Sequence, residues 1–593
     1  MSNIPKGCSF LIEEVGARPI FTPENFSEEQ KMFADTADQF MIREVLPHIK
    51  ALEGGDHELM VSLLKKAADL GLLMVDVPED FGGLQVDKTT SMIVTEAISI
   101  FAGFSVTFGA HTGIGSLPLI FFGTQEQKEK WLPRMATGEL IAAYALTEPG
   151  SGSDAMSAKT KAVLGDDGMY TINGSKMWIT NAGFADVFTV FCQVEGSKFT
   201  AFLIEADTEG VSIGAEEHKM GIKASSTCMV NFDNVKVPAG NILGEVAKGH
   251  KIAFNILNIG RFKLGVGTLG AGKYTLKLAV KYAKERKQFG QPISDFGAIR
   301  SKIADMAVRL YALESMSYRV AGDMDETMIA IDPKAENYSD LVMKAIEEFA
   351  IEDSIMKVYG SETIDFVADE AVQIHGGYGY SSEYDVERMY RDSRINRIFE
   401  GTNEINRMLI PGMVLKRTMK GQLGLFEVIQ AVDKRLADSN TPPIPSRADD
   451  ENMTFVSFIT EQAKHVTMYV ANQAIQKHMA DLRDQQEILM VLADLITAVY
   501  AMDSTVTRTR QIIAEKGFEK TLLQRAATSI LVADHYQECK QLGLNLLCHL
   551  AEGEKLETHL NNLDRLTCQT QIDLVSLRRK VADIIIERER YAF

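Results

Sequence analysis

The sequence is poor in cysteine, proline and tryptophan, with six, fifteen and two residues in 593. Cys8, Cys192, Cys228, Cys539, Cys548 and Cys568 are scattered without a C-x-x-C pair. That spacing excludes a zinc ribbon or a disulfide framework, so free and mostly buried thiols are expected and no metal is. Positive charge is also in deficit: 62 Lys and Arg face 81 Asp and Glu, a net charge of -19. A general nucleic-acid binder needs the opposite balance and is excluded. No run of about 18 apolar residues suggests a membrane span. Met1 to Gly7 form neither an apolar leader nor an Arg-rich presequence, so a cytoplasmic protein is expected.

What remains is ordinary globular composition, 46% hydrophobic and 24% charged, over a length that calls for three or four domains. The predicted fold class is α+β. Residues 1–140 read as an N-terminal α-helical domain, from spacings such as Leu63, Leu64, Ala67 and Ala68. Residues 141–245 switch to period two and β-branched runs, separated by turn signals that include Asn173-Gly174, and read as a small antiparallel β-domain. Residues 246–420 return to helical period. Residues 421–452, with Pro442 and Pro443, read as a linker, and 453–593 as an additional α-helical domain.

Several segments carry chemistry. Phe399-Glu400-Gly401-Thr402 joins a charged helix end to a new helix at Ile405, Met408 and Leu409, which places one acid on a tight turn. A carboxylate beside glycine is open to close approach, and an aromatic neighbour would dry it and raise its pKa. The competing reading makes Thr402 an N-cap and Glu404 a dipole partner. Thr147-Glu148-Pro149-Gly150-Ser151-Gly152-Ser153-Asp154 is a small-residue loop that lets backbone amides approach a phosphate. In Lys176-Met177-Trp178-Ile179-Thr180, strand alternation puts Trp178 and Thr180 on one side, although core packing also suits a tryptophan. Val106 to Gly115 is a helix of small residues around Gly109 and Ala110, which either leaves a void or packs closely. Within it, His111 reads as a satisfied buried polar group. Gly265-Val266-Gly267-Thr268-Leu269-Gly270 satisfies G-x-G-x-x-G but lies in a helical pattern with no preceding strand, so a dinucleotide site is rejected.

Taken together, Arg391-Asp392 with Ile398-Phe399-Glu400-Gly401-Thr402-Asn403, the T-E-P-G-x-G-S-D loop and the W-I-T strand resemble the acyl-CoA dehydrogenases over most of the chain. The resemblance implies that region 246–420 is a four-helix bundle holding the catalytic acid. Glu400 becomes the base that takes the α-proton of an acyl-CoA thioester. The flavin ribityl hydroxyl and the Glu400 backbone N–H become donors to the developing enolate oxygen. Tyr144, Thr147, Ser153, Trp178, Ile179 and Thr180 are implied FAD contacts, with Ser153 also near the CoA ester. Arg286, Gln288 and Phe289 of an E-R-x-x-F-G motif, with Gln373, Gly377, Thr402 and Glu404, complete the implied cofactor set. Part of that set reaches the FAD of a neighbouring subunit, so a homo-oligomer, with a dimer favoured, is implied.

Arg261, Phe399, Gly401, Gly109 and Ala110 are the implied substrate residues. Some relatives carry their base immediately before the arginine, where this chain has Gly260, so the role falls to Glu400. The C-terminal extension is similar to that of the very-long-chain type, which implies a long-chain acyl-CoA substrate, a trans-2-enoyl-CoA product in fatty-acid β-oxidation, and electron-transfer flavoprotein as partner. Membrane contact is expected to be peripheral at most, because Lys416, Arg417 and Lys420 are the only basic cluster near the linker. Three alternatives stay open at this level, an acyl-CoA oxidase, a dehydrogenase of another substrate such as a branched or aryl acyl-CoA, and a non-catalytic flavoprotein scaffold.

Overall fold

The computed structural model describes residues 4–332, 335, 337–438, 444–446 and 452–593. Helices α1 (Glu28–Phe40), α2 (Ile49–Glu53), α3 (His57–Asp69), α4 (Lys88–Ile98), α5 (Ala102–Gly109), α6 (Leu117–Phe122) and α7 (Gln125–Ala136) form the first unit. Local signals start four of them: Ser27, Asp56, Asp87 and Thr124 each accept a hydrogen bond from the backbone N–H three residues on. Leu63, Leu64, Ala67, Phe104 and Phe108 close its core.

The segment ahead of α1 departs from the expected 1–140 domain. Cys8, Phe10, Leu11 and Val15 are buried in the core of the distant helical bundle. The backbone N–H groups of Cys8 and Val15 donate to Glu352 and Glu461. Arg18 pairs with Asp323, Gln511 bonds the backbone of Ile20, and Arg508 holds Glu24. An apolar strap without periodicity is buried by whichever core it reaches, and spacing along the chain does not say which.

The middle unit is a sheet of β1 (Ala142–Ala145), β2 (Lys161–Leu164), β3 (Met169–Thr180), β4 (Val187–Val194), β5 (Lys198–Glu205), β6 (Val211–Glu216), β7 (Thr227–Pro238) and β8 (Ile242–Leu243). Its order is β6-β7-β3-β2-β4-β5-β8, with β1 also on β4. Most pairings are antiparallel as expected, but β4 runs parallel to both β1 and β2, so the sheet is mixed. Asn173-Gly174, expected as a turn, lies inside β3, where the register against β7 shifts between Ile172 and Gly174. A Cβ on Gly174 would stand 2.5 Å from the Thr160 hydroxyl, so the pair marks a bulge at a close approach rather than a chain reversal.

The helical half comprises α8 (Gly249–Glu285), the small hairpin β9 (Lys287–Gln288) and β10 (Gln291–Pro292), then α9 (Gly297–Ile329), α10 (Tyr338–Glu348), α11 (Ala350–His375), α12 (Asp385–Ser393) and α13 (Asn403–Met419). The G-x-G-x-x-G pattern sits in mid-α8 and serves packing: a Cβ on Gly265 would lie 2.8 Å from the Met356 carbonyl of α11. Part of the expected linker is helical. α14 (Leu425–Ala437) buries Leu425, Ile429 and Val432, while Pro442 and Pro443 lie outside the described residues. The C-terminal unit follows as α15 (Thr454–His478), α16 (Gln486–Lys516), α17 (Leu522–Leu550), α18 (Gly553–Leu566) and α19 (Leu574–Arg588). It shares one continuous apolar core with α8, α9 and α11. Two segments, Ala102–Phe122 and Gln486–Lys516, have the length and mean hydropathy of a membrane span, yet most of each is buried inside the fold. The six cysteines are free, with Cys8, Cys192, Cys228 and Cys539 buried.

Candidate active site

α12 ends at Ser393, a 3-10 turn covers Arg394–Arg397, and Thr402 caps α13 by accepting from the Ile405 N–H at 3.3 Å. Between them Glu400 has φ +57° and Gly401 φ +78°. A left-handed glutamate is strained by roughly 1–2 kcal/mol, so something must hold it. Two side chains do. Asn406, fully buried, donates to the carbonyls of Glu400, Gly401 and Thr402 at 3.4, 2.9 and 3.0 Å. Arg261 of α8 donates from Nε to the Glu400 carbonyl at 3.3 Å and from Nη1 to Asn258 at 3.0 Å. Arg261 is buried, so it is not a solvated surface charge.

With its carbonyl tied back, Glu400 projects its carboxyl toward α8. Oε2 is enclosed and has no hydrogen-bond partner. A Cβ added to Gly260 would stand 2.7 Å from that oxygen, so glycine at this position is what makes room for the acid. Burial pushes the Glu400 carboxyl up to about 7, against the pull of the Arg261 and Lys357 cations. A carboxyl there is half ionised near neutral pH and is matched to general-base work.

Two cavities meet at this side chain, and both are lined by Ile114, Thr180, Phe399 and Glu400. The narrower, about 170 Å³, runs inward past Gly109, Ala110 and Gly113 to Thr95, Ser99 and Ala271. A Cβ on Gly109 would meet nothing within 4 Å, so this glycine leaves a void, whereas one on Gly115 would lie 2.9 Å from Ala142 and that glycine serves close packing. Both readings of the small-residue helix therefore hold, at different residues. The wider cavity, about 970 Å³, is lined by Tyr144, Thr147, Ser153, Trp178, Ile179, Arg261 and Gly401. His111 stays out of both: its Nδ1 accepts from the Ala142 N–H, its Nε2 faces the Met135 carbonyl, and burial brings the ring down to about 4.

Alternation does not place Trp178. The β3 register slips between Lys176 and Ile179, and Trp178 has φ +61°. This bulge turns the indole out, 52% exposed, onto the wider cavity beside Thr180. The loop facing it is pinned by a buried pair, Lys176 Nζ to Glu148 Oε1 at 2.7 Å. Glu148 also accepts from the N–H groups of Lys159 and Thr160; burial alone would raise its carboxyl, but these bonds hold it below the usual range. Glu148 thus anchors the loop whose Ser153 and Thr147 reach the cavity. The Tyr144 hydroxyl is buried without a partner.

Arg286, Gln288, Phe289 and Gly377 line a third cavity, about 760 Å³, together with His375, Tyr378 and Tyr384. It shares no lining residue with the other two. Phe289 is 94% exposed and Arg286 lies over the Tyr378 ring at 5.5 Å. Gln373, expected with this group, sits exposed on α11 and does not line the cavity. Thr402 and Glu404 line none of the three: Thr402 is used as the cap, and Glu404 occupies the first turn of α13 with its carboxyl lowered by a backbone bond there.

Motif reading passed over Asn406, Asn403, Lys357 and Lys176. A lone lysine in the apolar run Ile355-Met356-Lys357-Val358-Tyr359 is a usable signal, because an unpaired buried ammonium is costly. The asparagines left no such trace.

Four acyl-CoA dehydrogenase family domains match the chain: the N-terminal domain over residues 27–139, the middle domain over 143–235, the C-terminal domain over 247–414 and a further C-terminal domain over 462–565. A probable acyl-CoA dehydrogenase of Bacillus subtilis is 48% identical over 100% of this chain and 99% of its own length. The rat mitochondrial very long-chain specific acyl-CoA dehydrogenase is 38% identical over 76% of this chain and 70% of its own. The crystal structure of acyl-CoA dehydrogenase complexed with FAD from Bacillus anthracis superimposes with a TM-score of 0.96 at 46% identity, covering 99% of this chain and 100% of that one.

Proposed function

The chain belongs to the acyl-CoA dehydrogenase family, and from that premise we propose that it converts a long-chain acyl-CoA to the trans-2-enoyl-CoA with FAD as cofactor and Glu400 as base. The observation that carries this reading is the enclosed carboxyl of Glu400 at the junction of two cavities, with its pKa at about 7.

The wider cavity fits a flavin. It offers the exposed Trp178 face, the Thr180 hydroxyl, the unpartnered Tyr144 hydroxyl and a loop of small residues pinned by Glu148. FAD, when bound, supplies the acceptor for the hydride from the β-carbon. The protein's own work is on the α-proton. Glu400 takes it onto its unpartnered oxygen, which Asn406 and Arg261 keep aimed by fixing the loop's carbonyls. Phe399 and Ile114 border the same space and exclude water, so the carboxylate stays basic. Charge then develops on the thioester oxygen and needs a prearranged donor. The backbone N–H of Glu400 is assigned this role from the family likeness.

Long-chain preference is supported by the inner cavity, whose walls at Gly109, Ala110, Gly113 and Gly267 carry little or no side chain. Transfer of the electrons to an electron-transfer flavoprotein rests on the likeness as well. Replacing Glu400 by Gln is expected to leave FAD bound and to slow flavin bleaching by an acyl-CoA at least about 100-fold, the lower range for loss of a general base. Bleaching at the normal rate sinks the assignment. Anaerobic titration with short to very long acyl-CoAs reads the chain-length preference, and peroxide formed with product in air moves the reading to an oxidase.

A further inference from the structure

Behind the base lies a chain of polar groups that the reaction as described leaves unused. Lys357 of α11 is fully buried, and its Nζ donates to Asn403 Oδ1 at 2.7 Å, three residues beyond Glu400. The Asn403 amide donates in turn to Ser361 at 3.1 Å and to Glu362 Oε1 at 3.0 Å. Both oxygens of Glu362 are clamped by Arg407, at 2.6 and 2.9 Å. Arg407 Nε continues to Asp494 at 2.7 Å, and Asp494 stands on α16 of the C-terminal unit.

We propose that Lys357 is a positioning residue for Glu400, its ammonium fixed behind the catalytic loop by a hydrogen-bonded chain that the C-terminal unit closes at Asp494. The inference rests on the reading of Glu400 as the base. The alternation along the chain is one of cation, amide, carboxylate, guanidinium and carboxylate, so each group satisfies the next and the ammonium is held at a fixed place. Lys357 lines neither cavity that meets at Glu400, so it acts through the loop and its charge rather than by touching substrate.

The charged groups around the pair are few. Facing Lys357 are Glu400 on its loop, Arg261 on α8, Glu404 on α13 and Glu362 on α11. Facing Glu400 are Arg261, Lys357 and, from β1, the Tyr144 phenol, while Asp353 of α11 faces Arg261. Burial brings the Lys357 amine down to about 7, level with Glu400. Its cation favours ionised Glu400, so removing that cation makes the carboxyl hold its proton to higher pH.

The test is the pH profile of kcat/KM for the FAD-loaded enzyme with a long-chain acyl-CoA and an artificial dye as acceptor. Lys357→Met is expected to move the acid limb up by about one pH unit, the lower range for loss of a neighbouring opposite charge. Lys357→Arg, whose cation persists through the whole range, is expected to keep the limb at or below its wild-type position. Asn403→Ala removes the acceptor that stabilises the ammonium and is expected to move the limb the same way by less. A purely structural lysine predicts slower turnover with an unmoved limb in both Lys357→Met and Asn403→Ala, and that result overturns the proposal. Should Lys357→Met fail to keep its flavin, Asn403→Ala decides alone by the same criterion. Full turnover in Glu400→Gln would instead remove the base assignment, which separates the two failures.

Discussion

Among the described residues, four acids around α11, α12 and the catalytic loop are buried with unsatisfied oxygens, Glu352, Asp353, Asp392 and Glu400; Asp392 borders the inner cavity, and of the four Glu400 borders both cavities. Glu352 shows what such a group does to stability. Burial pushes its carboxyl up to about 7, although it accepts the Cys8 N–H from the N-terminal strap. The folded protein therefore holds this proton more tightly than the unfolded chain, whose carboxyl titrates near 4.5. The contribution to stability is fully present below that value and is lost as pH rises through about 7. Glu352→Gln keeps the shape and the acceptor but cannot ionise. Its melting temperature is expected to exceed the wild type at pH 8, by no more than about 3 kcal/mol of stability, and the gap should shrink by pH 5. Thermal melts at the two pH values check it, and an equal gap at both rules out ionisation as the cause.

At the scale of elements, α8 and the catalytic loop are made for one another. Gly260 faces the Glu400 carboxyl so closely that one methyl group collides with it, at 2.7 Å from Oε2. The colliding atom is the free end of a side chain, so Gly260→Ala is expected to fold and keep FAD while the base swings aside. A displacement of about 1 Å slows such a reaction by up to roughly 100-fold, and rapid-mixing measurement of flavin bleaching reads the loss. An unchanged rate would mean the carboxyl is not used where it stands.

Much of this architecture was legible beforehand. The helical and strand periods mark the units, and Glu400, Thr147, Ser153, Trp178 and Thr180, singled out by motif, line one cavity. What escaped has a common cause. Lys176, Lys357 and Asn403 act through hydrogen bonds to distant residues, and a periodic pattern carries no record of a partner 28 or 46 residues away; Asn406 bonds the carbonyls of its own turn, which have no side-chain signature. The bulges at Gly174 and Trp178 escaped for a related reason, since both are set by the neighbouring strand β7 and by Thr160 rather than by their own propensity. The strap escaped because its burial partner lies hundreds of residues further on.

For the whole molecule, the residues proposed to hold the cofactor fall into two groups that share no cavity. Arg286, Gln288, Phe289 and Gly377 surround one opening, and Tyr144, Thr147, Trp178 and Thr180 another. We propose, from the family likeness, that one flavin nucleotide touches both groups by being shared between two copies of the chain. Arg286→Ala is then expected to weaken FAD retention by about 10-fold or more, the loss of a charged hydrogen bond. The geometry around Glu400 should persist, so enzyme saturated with added FAD recovers its bleaching rate. Retention can be followed by flavin absorbance after gel filtration, and full retention in the variant would argue that Arg286 makes no cofactor contact.

The strap also has a consequence for how the protein is made. Residues 8 to 24 leave the ribosome well before their seats on Glu461, Arg508 and Gln511, which are translated some 450 to 490 residues later. Phe10, Leu11 and Val15 must therefore wait uncovered while most of the polypeptide is synthesised, a window in which an apolar segment is prone to stray association. Seating of the strap therefore waits until α15 and α16 have been made.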